Sequence, residues 1–170
     1  INGVFYMLAL VFNQKSIAKN GVVLSSVFAK TGSLLVPLLF ALLLFAEVPT
    51  AVQIIGAVLA IIAIIAINDD GQKGMASSKM LLFSLLLIEG MASAMSKVFG
   101  EWGTQSLNEH FLLYSFGTAF FLSGVMAIVK KEKPGIKEIL FGLALGVPNF
   151  FASRFILKAL ESIPAIIIYP

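Results

Sequence analysis

Lys30, Glu89 and Arg154 each stand inside a long apolar run, and Asn149 shares the run that holds Arg154. If these runs cross a bilayer, an ionisable group near the centre costs at least ~2.5–3.5 kcal/mol on insertion scales and is normally retained for function. Lys30 falls ten residues into its run, about 15 Å deep at helical rise. Glu89 is at the midpoint of its own, and Arg154 is close enough to an end to snorkel. A lysine and an arginine at such depth suit an anionic or zwitterionic solute such as an amino acid. A free glutamate suits a cation exchanged for protons. The alternative is that Lys30 and Glu89 neutralise one another as a structural pair.

Helical spacing surrounds these groups with small and polar residues. Ser26, Lys30, Ser33 and Pro37 fall at i, i+4, i+7 and i+11, and Glu89, Ser93, Ser96 and Gly100 repeat that interval. Gly142, Gly146, Asn149 and Ser153 do so again. Three such stripes predict a shared cavity, although each could equally be a packing surface where small residues let backbones approach. Lys30, Ser33, Glu89, Ser93, Asn149 and Arg154 are the candidate substrate-binding or coupling residues, with no catalytic residue, metal ligand or cofactor expected.

The elements that must hold them follow from composition. The 170 residues are 59% hydrophobic and 12% charged, with a mean hydropathy of +0.98. Soluble domains carry about 25% charged residues, so the expected class is an all-α polytopic membrane bundle with the lipid bilayer as a partner. Nucleic acid is not expected, because the basic residues are scattered rather than clustered on one face. No cysteine and one histidine, His110, argue against disulfides, thiolate sites and multi-histidine metal centres. The opening residues, INGVFYMLAL, do not read as a signal peptide, since they show no basic n-region and no cleavage site. Both ends of the sequence cut into apolar runs, and the expectation is an internal fragment of a longer protein.

Apolar runs predict spans over 1–12, 20–46, 50–68, 79–99, 107–129 and 137–159, with a seventh beginning at 163. Spanning segments must be helical to satisfy their backbones in lipid. Lys15 and Lys19 are expected in the first loop, and Lys97 in the loop after the fourth span. The charge-free third span is expected at the lipid-facing periphery. Summed by side, eight lysines face two or three basic residues, which places Lys15, Lys73 and the 130–137 loop in the cytoplasm. A shift of 143 residues lays Gly3-Val4 on Gly146-Val147, Ala9 on Ala152, Phe12 on Phe155 and Lys15 on Lys158. The first and sixth spans then run in opposite directions, as in an inverted repeat with a five-helix unit.

Residues 34–67, LLVPLLFALLLFAEVPTAVQIIGAVLAIIAIIAI, with Pro37, Glu47 and Gly56 in place, resemble the close of an EamA-like repeat of the drug/metabolite transporter superfamily. The segment from Gly146 to Pro170 is similar to the third-to-fourth helix junction of the second repeat. The resemblance implies helices three to eight of ten plus the start of the ninth. Residues 1–68 would close the first repeat, 69–78 link the repeats, and 79–170 open the second. It also implies a secondary transporter of a small metabolite or drug-like solute, working by alternating access in a bacterial or archaeal inner membrane. Members of that family keep both termini in the cytoplasm, opposite to the charge sum, so orientation stays open, as does the choice between monomer and homodimer.

The stretch IEGMASAMSKVFGEWG further resembles the first helix of the small multidrug resistance transporters. There a membrane glutamate, matched by Glu89, precedes a lysine by eight residues, as Lys97 follows here. The resemblance implies proton exchange at Glu89; burial and a neighbouring cation pull on such a carboxyl in opposite directions. Two rival classes remain. A lipid- or prenyl-processing membrane enzyme would need clustered histidines or carboxylates at the interface, and Asp69-Asp70 has no second carboxylate at the required spacing. A non-transporting assembly subunit would mate its polar stripes and leave no cavity.

Overall fold

The computed structural model describes residues 1–45, 50–69, 78–131 and 135–160. These form six α-helices, α1 (Asn2–Asn20), α2 (Val22–Leu44), α3 (Ala51–Asp69), α4 (Lys79–Trp102), α5 (Asn108–Val129) and α6 (Ile136–Leu160), with a short 3-10 turn at Gln105–Leu107. Among the described residues there is no strand. Helices α2, α4, α5 and α6 are long and apolar enough to cross a membrane, and the all-α membrane class stands on them. The expected seventh span and most of the 69–78 link lie outside the described residues.

Side-chain contacts fix which helix ends lie together. Ser16 near the end of α1 meets Ser25 near the start of α2, and Asn20 reaches Ser78 just before α4. At the opposite end Phe45 meets Trp102, Phe99 stacks on Phe111, and Arg154 near the end of α6 pairs with Glu109 at the start of α5. Helices α2, α4 and α6 therefore run one way and α1 and α5 the other, so α1 and α6 run oppositely.

Helix α4 is the centre of the bundle, packed against both α2 and α1. Its contact with α2 is close because glycine faces backbone. A Cβ on Gly32 would meet the Leu86 carbonyl, and one on Gly90 would lie 2.6 Å from the Gly32 carbonyl oxygen. Removing side chains at the crossing lets the two backbones touch, which is how helices associate where lipid cannot drive them together. Pro37 is buried just beyond the crossing and takes one amide donor out of α2.

The first helix differs from the sequence expectation. It does not stop near residue 12 but continues through Lys15 and Lys19 to Asn20. Polar residues do not end a helix; a residue with positive φ does, and Gly21 at φ 78° provides it. Asn2, Tyr6, Ala9, Asn13, Ser16 and Asn20, alternately four and three residues apart, form one face, while Lys15 and Lys19 are exposed. Gly21 alone joins α1 to α2, so the chain reverses in one residue.

Helix α4 runs to Trp102 and carries Lys97 inside it, correcting the expected loop position. Helix α3 packs on α2 and leaves Val52, Ile55 and Leu59 exposed, in keeping with the outer placement expected of the charge-free run 50–68. Helix α6 rests on α5 and on part of α4, with Phe150 meeting Phe116 edge-on.

Candidate functional site

Four of the six candidate residues lie on the two helices of the α2–α4 crossing. Ser33 adjoins Gly32 on α2 and Lys30 lies two residues before it; Glu89 adjoins Gly90 on α4, with Ser93 one turn on. Glu89, Ser33 and Ser93 are half-buried, whereas Lys30 is exposed on the bundle surface. The Ser33 hydroxyl donates to the Lys30 backbone carbonyl at 2.8 Å, a bond that satisfies the hydroxyl within its own helix and leaves the Lys30 side chain unconstrained by it. Lys30 is within electrostatic reach of Glu89. The two helices thus present a cation and a carboxylate beside their closest contact, an arrangement that can either hold the helices in register or exchange a proton or solute cation.

Asn149 and Arg154 are not brought to that crossing. Both are exposed on α6. Ser153 donates to the Asn149 backbone carbonyl at 3.0 Å. The Arg154 guanidinium grips Glu109 of α5, Nε at 2.8 Å and Nη2 at 2.7 Å from the same oxygen, Oε1. A cavity of about 280 Å³ adjoins this pair, lined by Asn108, Glu109, Leu112, Arg154, Phe155, Leu157 and Lys158. Two further openings, about 380 and 360 Å³, share Ile1, Asn2, Phe99 and Phe111 at the same end of the bundle. None of these three cavities has Lys30, Glu89 or Asn149 in its wall, so the single cavity expected from the three stripes is not among them. The geometry differs from the expectation: α2 meets α4 through Gly32 and Gly90, which belong to neither stripe, while Ser26 and Lys30 of the α2 stripe face outward.

Two features escaped the sequence reading. Lys97 is 1% exposed, with its ammonium 5.4 Å from the centre of the Phe45 ring. That distance allows a cation–π attraction, and Phe45 in turn meets Trp102 at 5.3 Å. The eight-residue interval from Glu89 was the available signal. The second is a buried polar cluster at the α1–α2 corner. Asn20 donates to the Ser16 hydroxyl at 3.2 Å and accepts the Ser78 backbone N–H at 2.8 Å, and Ser16 and Ser25 share a hydrogen bond of 2.8 Å. The four-and-three spacing along α1 was the signal there.

Comparison of the chain with protein families, with curated proteins and with solved structures finds no match.

Proposed function

We propose that the chain is the middle of an EamA-like secondary transporter, moving a small metabolite or drug-like solute by alternating access, with Glu89 as the proton-coupling group. The observation that carries this reading is the placement of Glu89 and Lys30 beside the crossing of two membrane-length helices, where charge is expensive and normally kept for use. The opposite directions of α1 and α6 support the inverted-repeat part of the reading.

In proteoliposomes carrying the whole transporter of which this chain would be the middle, with an imposed pH gradient, the wild type is expected to accumulate members of a panel of small cations, zwitterions and carboxylates. Glu89→Gln should lower gradient-driven uptake at least about tenfold, an effect on the scale of losing one proton-transfer group, while leaving thermal unfolding near wild type. Unchanged uptake would sink the coupling role.

The second reading, a non-transporting assembly subunit, is favoured by the tight glycine crossing, which packs α2 directly on α4. It makes Lys30 and Glu89 a structural pair. Lys30→Met and Glu89→Gln would then each destabilise, and the double variant would recover stability, a coupling that a double-mutant cycle measures directly. Under the transport reading the double variant stays inactive and the cycle shows little coupling in stability.

A further inference from the structure

We propose that the opening between α5 and the last turns of α6 is a binding site for an oxyanion, a carboxylate or phosphate group, in which Glu109 occupies Arg154 as an internal competitor. The site deepens the transport reading by naming the chemistry of a solute, but the binding itself requires no transport.

Both guanidinium donors converge on Glu109 Oε1, so the pocket already holds one carboxylate in the geometry that an external oxyanion would adopt. Arg154 and Glu109 are about half exposed, at 49% and 58%. A pair so open to water contributes little and is readily exchanged. Lys158 follows Arg154 by one turn and lines the same cavity, giving two cations against one carboxylate. The positive end of the α5 dipole at Asn108 adds to that field. The cavity, about 280 Å³, has room for a small anion once Glu109 turns aside. Leu112, Phe155 and Leu157 give it an apolar wall, which suits an anionic group carried on an apolar body.

The test uses the chain in nanodiscs of neutral phosphatidylcholine, titrated with inorganic phosphate, with acetate, and with methylammonium as the cationic control. Saturable stabilisation by phosphate or acetate and none by methylammonium is expected. Glu109→Gln should tighten the anion about fivefold by removing the competitor, the scale of an exposed ion pair. Arg154→Gln should weaken it at least about tenfold. Lys158→Gln, which leaves the Arg154–Glu109 pair intact, should weaken it without loss of folding, and keeps the test decisive if the Arg154 variant is unstable. Adding phosphatidylglycerol identifies the natural source: competition with phosphate assigns the site to a lipid headgroup, and absence of competition assigns it to a dissolved anion. No saturable anion effect, equal binding of methylammonium, or a Glu109→Gln variant with unchanged affinity overturns the proposal. Absent anion binding with intact gradient-driven uptake removes this site and leaves the transport reading; anion binding without uptake does the reverse.

Discussion

Gly32→Val is expected to leave little folded protein. Any Cβ at position 32 would meet the Leu86 carbonyl oxygen, and would lie 2.8 Å from both the carbonyl carbon and Cα of the same residue. A flexible side chain could swing away, but a backbone carbonyl within a helix cannot move without dragging α4. Overpacking a well-filled core costs about 1–3 kcal/mol when side chains absorb the strain. Here α2 and α4 must separate along their largest shared surface, so a loss above about 4 kcal/mol is expected, in the range reserved for severe core lesions. Gly56→Val on α3 provides the control, since nothing lies within 4 Å of a Cβ there. It should change stability by no more than about 0.5 kcal/mol. Thermal unfolding in detergent, followed by size-exclusion chromatography of the heated samples, distinguishes the two. A Gly32→Val protein with wild-type unfolding behaviour would mean that α2 and α4 do not cross at this point.

The same crossing shows what the amino-acid sequence could and could not disclose. The helices themselves were legible, because apolar runs bounded by charge leave a membrane chain no other choice of structure. The exposure of α3 was legible too, since Val52, Ile55 and Leu59 lie in a run, 50–68, that carries no charge. The length of α1 was misread because the cluster Asn13-Gln14-Lys15-Ser16 has the composition of a loop. Its polar members in fact divide between an inward face and water, and Gly21 is the residue that breaks the helix. Lys97 was misplaced for a related reason. A lysine near Gly100 and Glu101 reads as a helix end, and the approach of Phe45, from the end of α2, to its ammonium cannot be read from α4 alone.

Among candidate residues the chemistry of each was visible but not its neighbours. Glu109 precedes Arg154 by 45 positions, and no periodicity within a helix reports which face another helix will cover. The near meeting of Lys30 and Glu89 was guessable from sign alone, whereas the separation of Asn149 and Arg154 from them required knowing that α6 rests on α5.

Asn20→Ala is expected to lower stability by about 3 kcal/mol. A net hydrogen bond contributes about 1 kcal/mol, and leaving its buried partner unpaired costs about 1–3 kcal/mol more. Asn20 is 3% exposed and makes two such bonds, to the Ser16 hydroxyl and from the Ser78 N–H. The second matters more, because Ser78 is the N-cap residue of α4 and its own side chain makes no capping bond. Asn20 therefore anchors the start of α4 from a helix 58 residues earlier in the chain. Ser25→Ala removes only the bond to Ser16 and should cost about 1 kcal/mol. Asn20→Asp keeps an acceptor for the Ser78 N–H, and the Ser16 hydroxyl can rotate to donate to it, so its loss should fall between the two. Hydrogen exchange at the Ser78 amide separates a local from a general effect: protection should vanish in Asn20→Ala and persist in Ser25→Ala. Equal unfolding temperatures for Asn20→Ala and wild type, with the Ser78 amide still protected, would show that the cluster does not hold α4. Because Glu89 lies on that helix, three turns beyond the anchored end, loosening the anchor should also reduce gradient-driven uptake while the carboxyl itself is untouched. On the proposed transport reading, Glu89→Gln is by contrast expected to lose uptake without losing stability, so the pair of variants separates a positioning role from a coupling role.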